Sequence, residues 1–178
     1  MIANKAIDLL KHYESLHDGD LKQIGLQPKQ CPTGYWTVGY GHVIIDPLNL
    51  KPLKGIALKA RAYELAGTIT LEKAEELLKH DLLEVETAVR KIVPTTLNED
   101  QIGSLVSFAY NVGLSAMKGS TAVKCIKKGE LKAGADALLR WNKGDTNGDG
   151  VLEVLPGLTY RRQSERQLFL TGELKFFN

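Results

Sequence analysis

Apolar residues recur at helical spacing along most of the chain, which predicts a mainly helical protein. Near the start, an amphipathic pattern predicts a helix over residues 3 to about 13, formed by Ile2, Ala6, Leu9, Leu10 and Tyr13. A longer stripe predicts a helix from about 71 to 92, capped by Thr70 and stopped by Pro94. The apolar stripe of this helix consists of Leu71, Ala74, Leu77, Leu78, Leu82, Val85, Ala88, Val89 and Ile92.

Further helices are predicted throughout the second half of the chain. Asn98 and Gln101 have the spacing of a capping box in front of an apolar run. Gly172 marks the end of the last predicted helix. The predicted helical segments begin after Asn98 and fit residues 120–128, about 130–141 and 160–170.

Strand-forming residues are confined to a short region near the start. The stretch CPTGYWTVGYGHVI (31–44) combines aromatic and β-branched residues with glycines, which predicts two short strands and a tight turn. Residues 46–55 contain two prolines and are predicted to be a loop. The pattern predicts an α+β fold in one domain over 1–178. The predicted parts are a small lobe at about 14–68, a linker helix at about 71–92, and a helical lobe at about 95–178 that includes the first helix.

Composition excludes several classes of protein. Of the 178 residues 43% are hydrophobic and 25% are charged, as in an ordinary globular protein, and a net charge of +2 is too small to indicate nucleic-acid binding. Two cysteines make no disulfide framework, and CxxC and HExxH motifs are absent, so we expect no metal site. We see no apolar signal-peptide core and no run of ~20 apolar residues, so we expect synthesis in the cytoplasm without membrane insertion.

Glu14 is the candidate general acid. Enzymes that cleave glycosidic bonds need a carboxylic acid to protonate the leaving oxygen and a second group that handles water or the oxocarbenium-like centre. A glutamate at the end of an apolar helix, beside Tyr13 and Leu16, would be partly desolvated, and desolvation raises the pKa of a carboxyl group. Cys31 and Thr37 would face Glu14 from the predicted hairpin, where a threonine hydroxyl can orient one water molecule.

The chain resembles the phage-type lysozymes, glycoside hydrolase family 24. Glu14 followed by CPTGYWTVGYGH is similar to the family signature, with five residues between Cys31 and Thr37 and then Val-Gly-x-Gly-His. Three downstream segments are similar to the helical lobe of the family in order and spacing, and with the signature they cover most of the chain. These segments are LNEDQIGSLVSFAYNVG (97–113), GSTAVKCIKKGELKAGADALLRWNK (119–143) and LPGLTYRRQSERQLFLTGE (155–173).

The resemblance implies a lysozyme-like fold and a muramidase that cleaves the β-1,4 bond between N-acetylmuramic acid and N-acetylglucosamine of peptidoglycan. It implies Glu14 as the general acid, Cys31 at the position of the second catalytic group, and Thr37 as the residue that orients water. It also implies a monomer without a cofactor, which lyses the bacterial host from the cytoplasm after a holin opens the membrane.

One departure from the family pattern concerns the second catalytic group. Sixteen residues (15–30) separate Glu14 from Cys31, more than in the common pattern, and the extra residues include Asp18 and Asp20. Either aspartate is an alternative second carboxylate. A cysteine with its ordinary pKa of about 8.5 is mostly a neutral thiol at pH 7, and a nearby Glu14 carboxylate would raise that pKa further.

Supporting roles are predicted for residues outside this set. The resemblance places His42 of the hairpin against Asp81 of the long helix as a structural ion pair. The candidate substrate-binding residues are Asn111, Arg140 and Trp141, with a purely structural role for Trp141 as the alternative. On the last helix, the arginines at 161, 162 and 166 are expected in surface or interlobe ion pairs with Glu165 or Glu173.

DTNGDGVLEV (145–154) matches the first half of an EF-hand loop, but Pro156 stands where the bidentate glutamate belongs, so we interpret it as a polar turn. Weak Ca²⁺ binding there stays an alternative. For the function of the whole chain, a lytic transglycosylase, which needs no base to activate water, stays open. A peptidoglycan-binding relative that has lost turnover stays open as well.

Overall fold

The computed structural model describes residues 4–14, 16, 18–19, 23–31, 33–146 and 148–178. The chain divides into two compact units. One unit is Glu14–Asp81, and the other combines Met1–Tyr13 with Leu82–Asn178. The mixture of a small strand-containing unit and a helical unit is the α+β architecture that the sequence predicts.

Helix α1 spans Asn4–Tyr13 and agrees with the first predicted helix, with Ala6, Leu9 and Leu10 buried. The unit of residues 14–81 then contains three short antiparallel strands, in which β2 lies between β1 and β3. Lys29 pairs with Thr37, and Val38 pairs with His42. The strands are β1 (Lys29–Gln30), β2 (Trp36–Val38) and β3 (His42–Val43). The predicted hairpin is therefore a three-stranded sheet, because Lys29–Gln30, outside the predicted strands, pairs with β2.

The prediction of a loop at 46–55 is wrong. A second hairpin, of β4 (Ile45–Asp46) and β5 (Lys51–Pro52), occupies most of it, and a 3₁₀ turn over Ile56–Leu58 follows. Pro52 is tolerated because β5 belongs to a two-stranded sheet, so the missing N–H does not interrupt a central strand. Helix α2 (Lys59–Ala66) was not predicted, because only Ala62 of its residues is fully buried and its apolar pattern is weak.

The core of the 14–81 unit forms between the strands and the helices that follow them. Its buried members are Trp36, Val38, Ile44, Leu53 and Ala62. Gly39, with φ +63°, turns the chain between β2 and β3, and a Cβ atom there would lie 2.8 Å from the Ala74 Cβ. Only glycine lets the hairpin approach the long helix this closely.

Helix α3 spans Leu71–Ile92, as predicted, and runs from one unit into the other. Its N-terminus is capped by Thr70, whose Oγ1 accepts from the Lys73 amide at 3.2 Å. The predicted stripe is buried at Ala74, Leu78, Leu82 and Val89, whereas its first residue, Leu71, is exposed.

The helical unit continues with four further helices and a last one after a short hairpin. This hairpin shows that the expectation of strands only near the start, with an all-helical C-terminal lobe, is wrong. The predicted Asn98–Gln101 capping box is present at α4. The last helix begins four residues earlier than predicted, because Pro156 suits the first helical turn, and Gly172 ends it in the left-handed conformation. These elements are α4 (Glu99–Val112), α5 (Leu114–Gly119), α6 (Thr121–Lys127), α7 (Leu131–Leu138), β6 (Lys143–Gly144), β7 (Glu153–Val154) and α8 (Pro156–Thr171).

The interface of α4 and α8 corrects the prediction for the arginines of the last helix. Arg161, Arg162 and Glu165 are buried. Glu165 Oε1 accepts from Ser107 Oγ of α4 at 2.7 Å and from Arg162 at 2.8 Å, and Arg161 Nε lies 3.3 Å away. The guanidinium of Arg162 also stacks on the Phe108 ring. The expected partner Glu165 is confirmed for Arg161 and Arg162, although all three residues are buried. Arg166 is partly exposed but pairs with Asp136 at 2.6 Å, and not with Glu165 or Glu173.

Within the part of the chain that the structure describes, no helix combines the length and apolarity that crossing a membrane requires.

Candidate active site

Glu14 is the first residue after α1 and is half-buried. The preceding residue fixes the end of that helix, because the Tyr13 hydroxyl bonds to Ser164 Oγ at 2.7 Å and donates to the Phe177 carbonyl at 3.2 Å. Leu16, expected to shield the carboxyl group, is 40% exposed. The helix end is therefore anchored by Tyr13, and Leu16 supplies less of an apolar setting than the sequence suggested.

Backbone hydrogen bonds hold several described residues of the long segment between Glu14 and Cys31. Gly19 donates to the Gln27 carbonyl at 3.1 Å, and Leu26 exchanges two hydrogen bonds with Ile69 at 2.8 and 3.0 Å. The Asp18 carboxylate accepts from the Gln27 amide at 3.2 Å, which gives it a structural role in this loop. The alternative candidate Asp20 lies outside the described residues.

Cys31 lies in the turn that joins β1 to β2. Its amide donates to the Tyr35 carbonyl and its carbonyl accepts from the Gly34 amide, both at 2.8 Å. The Sγ atom lies 3.0 Å from Thr33 Oγ1, and the residue is half-buried. The turn therefore holds the thiol in a defined place with a hydroxyl group beside it.

The same turn changes the acidity of the thiol. Burial raises the pKa of Cys31, but hydrogen bonds with the Thr33 hydroxyl and with the backbone of Thr33, Tyr35 and Gly34 outweigh it, so the pKa is lowered from its ordinary value. This direction is opposite to the increase expected from Glu14. Sequence reasoning missed Thr33, although its position two residues after Cys31 in a turn was the available signal.

Thr37 lies in the middle of β2 and is only 3% exposed. Its hydroxyl donates to the Lys29 carbonyl of β1 at 3.2 Å, directly across the paired strands. This bond fixes the hydroxyl rotor and ties the two strands that flank the Cys31 turn. Thr37 thus supports the turn from within the sheet rather than standing on an open surface.

His42 and Asp81 are in contact within the 14–81 unit. The His42 Nδ1 atom lies 2.9 Å from Asp81 Oδ2 and 3.0 Å from Oδ1, and both side chains are partly buried. Since β3 carries the histidine and α3 carries the aspartate, the pair fastens the sheet to the long helix. This is the contact that the sequence led us to expect.

The predicted residues fall into two groups. Glu14, Cys31 and Thr37 all belong to the unit of residues 14–81. The substrate-binding candidates Asn111, Arg140 and Trp141 belong to the helical unit. Asn111 and Arg140 are exposed, whereas the half-buried Trp141 packs edge-on against Phe108, with ring centroids 5.5 Å apart. The packing of Trp141 agrees with its alternative, structural interpretation.

A groove of about 410 Å³ lies in the 14–81 unit beside the His42–Asp81 pair. Its described lining is mostly apolar, from the strands β2–β4 and the helices α2 and α3, and His42 and Lys73 are its polar members. Glu14, Cys31 and Thr37 are not part of that lining. The groove is therefore a feature separate from the predicted catalytic residues.

The segment predicted as a polar turn lies in the β6–β7 hairpin. The Asp145 carboxylate accepts from the amides of Gly148 and Gly150, at 2.7 and 2.9 Å, and Asp149 accepts from the Val151 amide at 2.7 Å. Among the described residues there is no group of three or more His, Cys, Asp or Glu side chains that could hold a metal ion. Asp145 and Asp149 thus serve the turn itself.

Comparison with known proteins decides the family. The family model described as Phage lysozyme matches residues 21–165. The chain belongs to the phage lysozyme family. The match includes Cys31, Thr37, His42 and Asp81, whereas Glu14 precedes it.

Relatives of this phage lysozyme family member are endolysins. That of Bacillus phage B103 is 35% identical over 98% of this chain, but the chain spans only 56% of its length. The endolysin of Acyrthosiphon pisum secondary endosymbiont phage 1 is 30% identical over 94% of this chain and 97% of its own. The SAR-endolysin of Enterobacteria phage PA-2 is 30% identical over 88% of this chain and 81% of its own.

Solved structures confirm the predicted lysozyme-like fold. An endolysin from Escherichia coli O157:H7 phage FAHEc1 superposes with a TM-score of 0.76, at 28% identity, over 98% of this chain and 96% of that one. The muramidase domain of SpmX from Asticaccaulis excentricus gives a TM-score of 0.73 at 31% identity, over 96% of this chain and 98% of that domain. The resemblance seen in the sequence is therefore confirmed at the level of family and fold.

Proposed function

We propose that this phage lysozyme is an endolysin that hydrolyses the β-1,4 bond between N-acetylmuramic acid and N-acetylglucosamine of peptidoglycan. Its relatives carry the name endolysin, and one structural neighbour is described as a muramidase domain. The observation that carries the proposal is the phage lysozyme match over residues 21–165, within which the Cys31 turn holds its thiol beside the Thr33 hydroxyl. The order Glu14, Cys31, Thr37 is that of the family signature.

Glu14 acts as the general acid in this proposal. Its carboxyl group donates a proton to the glycosidic oxygen while the bond to the anomeric carbon breaks, and the sugar develops oxocarbenium character. The anchored end of α1 supports this role, since Tyr13 restrains the backbone directly before Glu14. A positioned acid avoids the entropy cost of finding the leaving oxygen.

The second group in the proposal is Cys31, which deals with the attacking water. Water adds its oxygen to the anomeric carbon and passes a proton to the thiolate, and the lowered pKa increases the fraction of thiolate available for this. Thr37 helps to orient the water in this proposal, and its bond to the Lys29 carbonyl ties together the two strands on either side of the Cys31 turn. Asp18 and Asp20 stay alternatives for the same step.

The test is solubilisation of purified peptidoglycan by matched variants. We expect Glu14→Gln, which keeps the shape of the side chain but removes its acidic proton, to lower kcat by about 10²–10⁴-fold. Glu153→Gln serves as the control, because Glu153 is exposed on β7 and should leave the rate unchanged. Activity of Glu14→Gln equal to that of the control would contradict the assignment of the acid.

Companion variants locate the second group and the reaction type. A large loss in Cys31→Ser with little loss in Asp18→Asn and Asp20→Asn supports Cys31, and the reverse pattern moves the role into the 15–30 segment. Mass spectrometry of the products then separates reaction types. Reducing ends indicate hydrolysis, whereas anhydromuramoyl ends indicate a transglycosylase. Wall binding without any product would indicate the non-catalytic alternative.

Access to the wall is a separate part of the proposal. We propose that the enzyme accumulates as a monomer in the host cytoplasm and reaches peptidoglycan after a holin opens the membrane. The name SAR-endolysin of some relatives points to a second route, in which the endolysin carries its own export signal. The two routes differ in whether lysis needs a partner.

A further inference from the structure

One exposed segment of the 14–81 unit combines apolar and cationic side chains without any acidic residue. Residues 47–60, PLNLKPLKGIALKA, contain three lysines and no Asp or Glu. The segment includes the turn of the β4–β5 hairpin, the 3₁₀ turn and the first residues of α2. We define the tip surface as Leu48, Leu50, Lys51, Lys54, Ile56 and Lys59.

The large apolar side chains of the tip surface are exposed to an unusual degree. Leu48 is 84% exposed, Leu50 is 79% exposed and Ile56 is 71% exposed. Single exposed apolar residues are common on proteins, but three within nine residues, with lysines between them, mark a surface that contacts another phase or partner. Folding of this chain gains little from these three side chains.

The backbone conformation of Leu50 in this turn is unfavourable for a leucine. Its φ is +57°, the only positive φ of a non-glycine residue in the described part of the chain. Glycine or asparagine adopts this left-handed conformation more readily than leucine, and a leucine that stays exposed recovers no burial in return. Stability alone therefore does not account for leucine at this position.

The tip surface is nevertheless firmly held. Asp46 at its base accepts from the Leu48 amide at 3.0 Å and binds Arg61 of α2 at 3.1 Å. The bond to Arg61 and the Leu48 amide hold the pKa of Asp46 below its ordinary value, so the link is intact at neutral pH. Asn49 closes the other side by accepting from the Lys51 amide at 2.9 Å. The apolar side chains are thus presented on a preorganised turn.

The lysines of the tip surface are placed to reach an anionic partner. Lys54 lies over the Tyr35 ring at 4.7 Å and Lys59 over the Tyr63 ring at 5.6 Å, while both residues are exposed. In each case the ammonium nitrogen itself lies over the ring, so a cation–π contact holds the positive charge in place on an exposed residue. Lys51, next to Leu50, is exposed as well.

We infer that the tip surface docks on an anionic lipid bilayer, with Leu48, Leu50 and Ile56 entering the interface and the lysines contacting headgroup phosphates. Apolar side chains flanked by lysines are the chemistry of peripheral membrane binding, in which burial and charge attraction act together. A purely anionic polymer would engage the lysines but leave the leucines in water. A lipid surface is the partner that would contact both the apolar and the cationic side chains of the tip surface.

The test is co-sedimentation of the full chain with vesicles that contain no peptidoglycan, so its result is independent of the catalytic proposal. Vesicles of phosphatidylcholine mixed equally with phosphatidylglycerol are compared with vesicles of phosphatidylcholine alone. We expect binding to the anionic vesicles to be about tenfold stronger. Replacing Leu48→Ser together with Leu50→Asn should lower that binding about tenfold, and Asn suits the left-handed turn.

Two controls keep the outcome interpretable. Val151→Ser with Leu152→Ser removes two exposed apolar side chains from the acidic β6–β7 hairpin and should leave binding unchanged. In Leu48→Trp, the new indole should shift its emission to shorter wavelength on anionic vesicles, after subtraction of the wild-type spectrum from Trp36 and Trp141. This fluorescence shift reports binding directly, in a variant that keeps Leu50.

Three results would overturn the inference. The first is wild-type protein that remains in the supernatant with anionic vesicles. The second is undiminished binding by the Leu48→Ser, Leu50→Asn variant. The third is a loss of binding in Lys51→Gln with Lys59→Gln but not in the apolar variant, which would show that charge attraction alone holds the protein on the vesicles and that Leu48 and Leu50 do not enter the interface.

Discussion

Cys31 is a side chain whose chemistry depends on four neighbouring groups in one turn. The Thr33 hydroxyl and the backbone of three residues bond to the thiol and lower its pKa against the effect of burial. A group with a lowered pKa loses its proton at lower pH, so more thiolate is present near neutrality than in an ordinary cysteine. Thr33 is therefore the residue through which the acidity of Cys31 can be changed without touching the sulfur.

Alkylation of Cys31 tests this account at the residue scale. In Thr33→Val the side-chain hydrogen bond is lost, so the thiol pKa should rise and the pH midpoint of iodoacetamide labelling should move upward. At pH 7 the rate should fall about two- to tenfold. Peptide mass spectrometry follows the reaction, with Cys125 in the same sample as the internal reference. An unchanged midpoint in Thr33→Val would show that the backbone alone sets the acidity.

At the scale of elements, the packing of α4 against α8 depends on buried charge. Glu165 compensates Arg161 and Arg162 in an interior where an unpaired ion is costly. Ser104 adds a link by donating its hydroxyl to the Glu165 carbonyl at 2.7 Å. The two helices are thus held by a specific polar cluster as well as by the surrounding apolar core.

Removing the negative charge of Glu165 should lower the stability of the folded protein. Glu165→Gln keeps the volume of the side chain but removes the carboxylate that compensates two buried guanidinium groups, so we expect the free energy of unfolding to fall by about 3–5 kcal/mol. Urea denaturation followed by circular dichroism measures the change. The exposed Glu173→Gln should cost less than about 0.5 kcal/mol. If both variants lost equally little stability, the cluster would not contribute as described.

At the scale of the whole molecule, the predicted catalytic residues and the predicted substrate-binding residues belong to different units. Glu14, Cys31 and Thr37 belong to residues 14–81, and the substrate-binding candidates belong to the helical unit. The chain also covers nearly all of one endolysin relative but only about half of another. The route by which the enzyme reaches the cell wall needs a test in cells.

Expression of this chain alone in Escherichia coli tests the route of access. If export needs a holin, the culture should keep growing and should lyse rapidly once chloroform opens the inner membrane. The turbidity of the culture is the readout, and the Glu14→Gln variant in parallel controls for toxicity unrelated to hydrolysis. Lysis of the wild-type culture before chloroform would favour an export signal within the chain.

The helical elements followed from local patterns. Helix α3 has its predicted limits because its apolar stripe is continuous and Thr70 caps it, and the Asn98–Gln101 box marks the start of α4. The family signature likewise rests on spacing within the chain, so the resemblance and the candidates Glu14, Cys31 and Thr37 could be recognised from residue order alone. Helix α2 could not, since its apolar pattern is weak and only Ala62 of its residues is fully buried.

The sequence by itself determined the family, the α+β class and the order of the candidate catalytic residues, because these depend on motifs and on periodicity. The tertiary structure decided the environment of each side chain. It buried Arg162 and Glu165 instead of exposing them, lowered the pKa of Cys31, and tied the Thr37 hydroxyl to Lys29. Burial and hydrogen bonding depend on residues distant in the chain or on the geometry of a turn, and the local spacing of residues does not reveal either.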